Sequence, residues 1–578
     1  MDVKKDIVEL LVRLTGLDEE VLTAAVEVPP AGMGDYALPC FKLAKSLRKA
    51  PQAIATDLAE RASGPDGLPP SLDRVRADGG YVNFFLRQSA FTAGVVRATL
   101  DAGDRLGTSE EGKGKTVLLE YSSPNIAKPF HVGHAFTTIL GHSLARIYGH
   151  LGYPVVRMNH LGDYGTQFGK LISAYLRWGD EEALEKDPIA ELFRIYVKFH
   201  KEAEKDPALE EEGRMHFRRL EEGAVQEKEI WQRFRDLSLR EFERVYQRLG
   251  VSFDNYNGES FYSDQIPAVV KMLEEKGLLE ESQGAKVVRL DEYNLPPCIV
   301  LKSDGTTIYA SRDIAAVLYR MREYGFYKNI YVVGTPQALH FRQVFAVLEK
   351  AGVPCAQDCI HVGFGLLKFA DGKFSTREGN VVLLEDLLGQ AVAKTHEIIV
   401  KNMETRGQDS SGEEMRAIAE RVGIGAVIYT YLKNGRERDI VFSWEDMLDF
   451  EGDTAPYVMY TYARIRSILR KAAESDQTGT ATDEALLRLD LPEEFDIARQ
   501  LDGFSEAIRK AAEDYEPFYL TRYIGMLARV FNKYYNSYSI LSAGDPELVR
   551  ARLALCESVA SALRIGTWLL GIEVAERM

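Results

Sequence analysis

Four residues in the stretch SPNIAKPFHVGH, 123–134, have types and spacing suited to an anionic ligand: Lys128, His131, Gly133 and His134. The stretch follows the apolar run TVLLEYS and precedes the amphipathic HAFTTILGHSLARIYGHLG, so it falls where a strand turns into a helix. The first amides of a helix are unpaired and its dipole is positive there, which favours negative charge. Gly133 has no side chain, so a flat base or a phosphate can approach the backbone. His131 and His134, three apart, share a helix face and can both donate to phosphate oxygens. Lys128 adds a mobile cation. A nucleoside triphosphate fits this chemistry, although no GxxxxGK[ST] loop is present. The same two histidines would also serve as plain helix caps.

A second stretch, GLLKFADGKFSTREGN (365–380), places Lys373, Ser375, Thr376 and Arg377 in a polar, glycine-bounded loop after a strand-like run. Such a loop can fold over a triphosphate and stabilise a departing pyrophosphate. Taken alone it reads equally as a solvated turn.

These stretches need a sheet to hold them. From residue 116 the chain alternates strand-like runs (TVLLEYS, YPVVRMNH, NIYVVG, IHVGFGLLKF) with helical ones, the order of a parallel sheet with ligands at the carboxyl ends of its strands. The 578 residues suggest about three or four domains. Residues 1–112 read as a first α+β unit, with GDYALPCFKLAKSLRKAPQAIATDLAERA helical in spacing and broken at Pro51, and YVNFFLR strand-like. EGKGK reads as a linker into a Rossmann-type catalytic unit, 113–385, carrying a charged helical insertion at about 179–290. A helical connector, 386–450, and an all-α domain, 451–578, complete an α/β multidomain chain.

Apolar content of 46% and charged content of 27% are ordinary for soluble protein. No apolar run approaches a membrane span, and MDVKKDIVELLVRLTG lacks the uninterrupted apolar stretch of a signal, so the expectation is a cytoplasmic protein with no membrane partner. Among the five cysteines only Cys355 and Cys359 are close, with no second pair, so no four-ligand zinc site is expected and reduced thiols are. The net charge of −16 argues against indiscriminate nucleic-acid binding and leaves room for local basic patches.

Together the two stretches resemble the HIGH and KMSKS signatures of class I aminoacyl-tRNA synthetases. EYSSPNIAKPFHVGHAFTTILG, NHLGDYGTQFGKLI, TTIYASRDIAA and GKFSTREGNVVLLEDLL resemble the arginyl-tRNA synthetase family in particular. The resemblance extends to GDYALPCFKLAKSLRKAP, like that family's extra N-terminal domain, and to APYVMYTYARIRSILRKA, like the start of its anticodon-binding domain. It implies an arginine–tRNA ligase whose partners are L-arginine, tRNA(Arg) and ATP with Mg2+. It further implies a monomer that activates arginine only with tRNA bound. Lys128, His131, His134 and Lys373 would be catalytic. Lys128, His131, Gly133, His134, Lys373, Ser375 and Arg377 would bind ATP. Ser123 and Asn125 would hold the amino acid's main-chain end, Glu120 would stand as a pocket carboxylate and His134 would be among the substrate-binding residues. Tyr309 and Asp313, with Gln337 at the rim, would meet its side chain. Tyr309 and Asp313 stand at i, i+4 on one helix face, where a phenol and a carboxylate can grip one guanidinium, although a surface hydrogen bond or cap has the same spacing. The second lysine of the KMSKS pattern is Thr376 here, and the resemblance implies that Lys128 compensates. A class I synthetase for another amino acid and a catalytically silent RNA-binding relative are the alternatives.

The stretch TRYIGMLARVFNKYYNSYSIL, from 521, mixes cations and aromatics with no acidic residue. Arg522, Arg529, Lys533, Tyr534 and Tyr538 are therefore expected to meet tRNA, by charge on phosphates and stacking on unpaired bases. A helix burying some of these aromatics in its own core is the competing reading. Tyr460 and Arg464 are further candidates.

Overall fold

The computed structural model describes residues 3–578 except 31, 65–66, 304–306, 370–381, 407–411, 476 and 478. Four parallel strands form the central sheet: Val117–Glu120, Val155–Met158, Lys328–Val332 and Cys359–Val362, in the spatial order fourth, third, first, second. Every residue of the first strand is buried, as a strand covered on both faces requires. The order reverses beside that strand, which puts a crevice at the strands' carboxyl ends. From there the chain enters the helix Val132–His150, the signature helix. Gly141 lets this helix lie close on the sheet: a Cβ there would stand 2.2 Å from the Tyr121 ring.

The insertion is larger than expected from the sequence. Helices Thr166–Trp178, Pro188–Ala203, Ala208–Glu221 and Val225–Leu249 share one core around Phe168, Ile195, Phe199 and Phe234. The first of these precedes the expected boundary at 179. It packs so tightly on the third that a Cβ on Gly169 would meet the Gly213 carbonyl at 2.0 Å. An antiparallel sheet of Leu279–Ser282, Ala285–Val288 and Cys298–Leu301 carries the excursion past 290. An amphipathic pattern shows that a helix buries one face, not which neighbour it buries it against.

The first unit also differs. Tyr36–Pro39 is a strand, paired antiparallel with Tyr81–Leu86, although the spacing of its stretch predicts a helix. Pro51 opens the helix Pro51–Ala62 instead of breaking one, because proline's fixed φ and missing N–H suit a first helical position.

Among the described residues after 383 the regular elements are helices, apart from the short strand Ile440–Phe442, which runs parallel to Leu367–Phe369. The last helix, Pro546–Leu569, lies against the signature helix. There Ser143 Oγ donates to the Leu569 carbonyl (3.0 Å) and Arg146 to that of Trp568 (2.6 Å). The first unit reaches the same bundle through Arg97–Asp483 (2.9 Å) and Asp35–Arg499 (3.2 Å). All five cysteines are unpaired and buried. Among the described residues no helix is long and apolar enough to cross a membrane.

Candidate active site

The turn before the signature helix is a strained one. Ser122, Ser123 and Ala127 have positive φ of 70°, 45° and 61°, conformations that surrounding structure must impose and that gather at ligand sites. The imposing contacts are buried. The Ser122 N–H donates to Thr137 Oγ1 (3.1 Å), which donates to the Val332 carbonyl (2.6 Å). Ser122 Oγ shares a 2.7 Å bond with the Tyr246 hydroxyl, and the Ala127 N–H donates to Ser238 Oγ (2.9 Å). Tyr246 and Ser238 belong to the insertion helix Val225–Leu249, so the insertion clamps the turn.

His131 and His134 do cap the helix. The Gly133 N–H donates to His131 Nδ1 (3.0 Å) and the His131 N–H donates to His134 Nδ1 (3.2 Å). An Nδ1 that accepts leaves the proton on Nε2. Each ring therefore keeps one N–H donor, and among the described residues nothing accepts from either. Capping and phosphate binding are thus compatible uses of one ring. The rings stack with centroids 3.9 Å apart. Burial, and then the charge of half-buried Lys128, holds His131 below its ordinary value. Burial, then His131 and Lys128, pushes His134 down to about 3. Both rings are neutral donors at physiological pH.

Lys373, Ser375 and Arg377 lie outside the described residues. The flanks of their stretch are described. Leu367–Phe369 is a strand on one side. On the other side the chain returns to the signature turn: the Val132 N–H donates to the Val382 carbonyl (3.1 Å) and the Leu384 N–H to that of Phe130 (2.9 Å). The signature turn and the chain just after the second stretch, some 250 residues apart in sequence, are tied by backbone hydrogen bonds.

Asn125 sits against the loop after the second strand. The Ile126 N–H donates to the Gly162 carbonyl (3.2 Å) and the Gly162 N–H to that of Pro124 (3.1 Å). A Cβ on Gly162 would strike Asn125 Oδ1 at 2.2 Å. Ser123 Oγ points back to the Tyr121 carbonyl at 3.5 Å. Glu120 is buried and ion-paired with Arg320, a partner the sequence did not announce.

Tyr309 and Asp313 do share one helix, Tyr309–Tyr324, the pocket helix. Tyr309 is 57% exposed at its start. Gln337 is exposed just before the helix Ala338–Lys350. Two neighbours were missed. Glu259 opens a short helix and pairs with Arg312 at 2.7 Å; Arg312 in turn lies 5.6 Å from the rings of both Tyr164 and Tyr309. Burial pushes the Glu259 carboxyl up to about 7 against the opposing charge of Arg312. No spacing marks Glu259 in the sequence. His340, bonded to Asp313, stands three residues after Gln337, a helical spacing that is the one sequence signal pointing to it. The insertion contributes too: Tyr196 and His200 form an edge-to-face pair, 4.6 Å between centroids, within the field of Tyr309 and Lys128. Among the described residues no group of three His, Cys, Asp or Glu side chains could hold a metal ion.

In the C-terminal domain one expectation fails. Tyr534 is fully buried in the helix Phe518–Ser537, and its hydroxyl donates to Glu494 Oε1 (2.9 Å); it belongs to the apolar face and cannot stack on RNA. Tyr538 turns to Glu493 (3.1 Å). Arg522, Arg529 and Lys533 are exposed, the last two beside Asp453 (3.7 Å) and Glu493 (3.9 Å). The exposed aromatic is Tyr535. Its ring and that of Tyr460 each lie 4.9 Å from the Arg464 guanidinium.

Comparison with known proteins agrees with this geometry. Residues 1–86 match the arginyl tRNA synthetase N terminal domain, 96–444 the catalytic domain of "tRNA synthetases class I (R)", and 458–578 the DALR anticodon binding domain. The catalytic match runs on through the segment that the sequence had set apart as a connector. The arginine–tRNA ligases of Clostridium acetobutylicum and Clostridium perfringens are 54% and 52% identical over 580 and 579 residues, covering 100% of each chain. The solved arginyl-tRNA synthetase of Thermus thermophilus superposes with a TM-score of 0.78 at 27% identity, over 100% of this chain and 99% of that one. A strained, insertion-clamped turn carrying two neutral histidine donors thus sits in a chain whose three units all match one family, and the protein belongs to the class I arginyl-tRNA synthetases.

Proposed function

We propose that the chain is an arginine–tRNA ligase working in two steps. A carboxylate oxygen of L-arginine attacks the α-phosphorus of ATP; the α–β phosphoanhydride bond breaks, giving arginyl-adenylate and pyrophosphate. A hydroxyl of the 3′-terminal ribose of tRNA(Arg) then attacks the arginyl carbonyl, and AMP leaves.

The single observation that carries this reading is the backbone pairing of residues 130–132 with 382–384. It brings the flank of the KFSTR stretch to the start of the signature helix, where a triphosphate would lie. In this reading the Nε2–H of His131 and of His134 donate to phosphate oxygens, and Gly133 leaves room for the nucleotide. Lys128, with Lys373, Ser375 and Arg377, balances the charge of the departing pyrophosphate. Ser123 and Asn125 meet the amino acid's main-chain end, with the Glu120 carboxylate, held by Arg320, in the pocket behind them; Tyr309, Asp313 and Gln337 meet its guanidinium. No protein nucleophile is needed, because the substrates supply both attacking oxygens and the enzyme orients them. Magnesium enters with ATP as the counterion of its phosphates. Arg464 with Tyr460 and Tyr535 offers stacking for unpaired anticodon bases, and Arg522, Arg529 and Lys533 offer charge for phosphates. Arginine activation waits for tRNA because docking shifts the population of a pocket or loop arrangement.

Pyrophosphate–ATP exchange with each amino acid in turn, with and without tRNA, tests this. Exchange with arginine alone, and only when tRNA is present, is the expected result. Exchange with arginine in the absence of tRNA removes the coupling. Exchange with a different amino acid removes the assigned pocket. No exchange from folded protein that still binds tRNA removes the catalytic reading.

A further inference from the structure

Between the pocket helix and the helix Ala338–Lys350, His340 Nε2 lies 2.5 Å from Asp313 Oδ2. The side chains are 24% and 19% exposed, so the contact is shielded without being sealed. Groups around it come from every neighbouring element, among them Tyr331 on the third parallel strand, which feels Asp313. Tyr309 and Arg312 lie on the pocket helix, and Glu259 opens the short helix beside it. Cys298, in the small antiparallel sheet, feels the charge of Asp313. His361, on the last parallel strand, stacks on Phe341 (4.7 Å between centroids) and feels His340. The Arg312 charge is already engaged by Glu259 at 2.7 Å. Among the described residues, His340 is therefore the one donor to Asp313, and no donor reaches Oδ1.

We propose that His340 is a positioning residue for the substrate's side chain: it fixes Asp313 through Oδ2, leaves Oδ1 presented to the guanidinium, and gives up a proton as that second cation arrives. The proposal rests on the reading of Tyr309 and Asp313 as the arginine pocket.

The argument is geometric first. A carboxylate rotates readily about its last bond, and a guanidinium fork binds best when the carboxylate is held in one plane. A single short hydrogen bond to one oxygen removes that freedom. The charge argument follows. Burial lowers the affinity of His340 for its proton, but the hydrogen bond and charge of Asp313 outweigh burial, and the ring titrates above its ordinary value. Before substrate binds, the ring is protonated over a wider pH range than a free imidazole. An incoming guanidinium would share one carboxylate with an imidazolium. The repulsion is relieved when Nδ1 loses its proton to solvent, while Nε2–H stays and keeps the clamp. By linkage, arginine then binds more tightly as pH rises through the imidazole range.

The test is KM for arginine and kcat, in the exchange assay with tRNA present, from pH 6 to 8. For the unaltered chain KM should fall with rising pH, by up to about tenfold per unit where one proton is released, with kcat following a different profile. His340→Asn keeps an N–H donor but no titrating charge, so the slope of its KM against pH should shrink markedly, leaving only what Glu259, pushed up to about 7, contributes in the same window. His340→Ala should raise KM about tenfold or more, the loss of a hydrogen bond to a charged group, and His340→Asn should rescue most of that rise. A wild-type KM that does not vary with pH, or a slope undiminished in His340→Asn, overturns the proton release. A wild-type KM in folded His340→Ala overturns the positioning role. Should His340→Ala not fold, the His340→Asn profile decides. Asp313→Asn separates the two readings: if it keeps the wild-type KM, the pocket assignment itself fails.

Discussion

Arg320 and Glu120, the last residue of the first strand, form a buried ion pair, with the guanidinium 5.3 Å from the Tyr331 ring. Removing one partner of such a pair leaves a charge in a medium that solvates it poorly. Arg320→Leu should lower unfolding stability by about 3–5 kcal/mol, whereas Arg320→Met combined with Glu120→Leu should recover most of it. Guanidinium-induced unfolding of the two variants checks this. Equal midpoints would mean that the pair contributes no more than its packing.

Lys128 carries the second prediction. It lies near two neutral histidines and stands in a sequence that has Thr376 where the KMSKS pattern has a lysine. Lys128→Ala should reduce kcat for arginine-dependent exchange about a hundredfold, the scale of one lost transition-state donor, with the thermal melt unchanged. Adding Thr376→Lys to that variant should restore part of the rate. A near-normal kcat in Lys128→Ala would show that the pyrophosphate's charge is balanced elsewhere.

Much of this was legible in the chain itself, for a physical reason. The strands, the signature helix and the pocket helix come from local patterns: apolar runs such as VLLE, a cap at His131, a fixed i, i+4 spacing from Tyr309 to Asp313. Four parts were not legible, because they depend on contacts between distant segments. Tyr36–Pro39 is a strand only because Tyr81–Leu86 pairs with it. The helix Thr166–Trp178 belongs to the insertion only because Gly169 meets Gly213. Tyr534 and Tyr535 are adjacent and of one type, and which of them turns inward depends on Glu494 in another helix. Glu259 enters the site through a partner 53 residues away.

Acid sensitivity is the third prediction. His134 and His142 are each held neutral, with values near 3; burial is the main cause for both, and neither ring nitrogen of His142 has a hydrogen-bond partner. Unfolded, both titrate near 6.5. Between these values the unfolded chain binds more protons, so stability rises with pH through that window. Their full contribution is present above about pH 6.5 and is lost as pH falls toward 3, about 2 kcal/mol for each ring at pH 5. Urea midpoints at pH 7.5 and 5 should differ accordingly, and His142→Leu should narrow the gap. An unchanged gap in that variant would show that other groups dominate.

The fourth prediction separates two adjacent tyrosines. Tyr535→Ala should raise KM for tRNA about tenfold, the scale of one lost base-stacking contact, with stability intact. Tyr534→Phe should leave KM for tRNA alone and lower stability, since it strips the Glu494 carboxylate of a buried donor. A reversal of these two effects would place the RNA on another face.

The contacts of the signature helix with the end of the chain bear on how this protein can be divided. Ser143, Arg146 and Tyr148 all donate to carbonyls supplied by the C-terminal bundle, at Leu569, Trp568 and Ala512. A fragment ending near 450 would expose that flank and strand three donors on the very rod that the signature turn opens. The catalytic unit is thus not a detachable module with an RNA-binding appendage. Trimming even the last turn of the final helix is an alteration of the catalytic unit's own foundation.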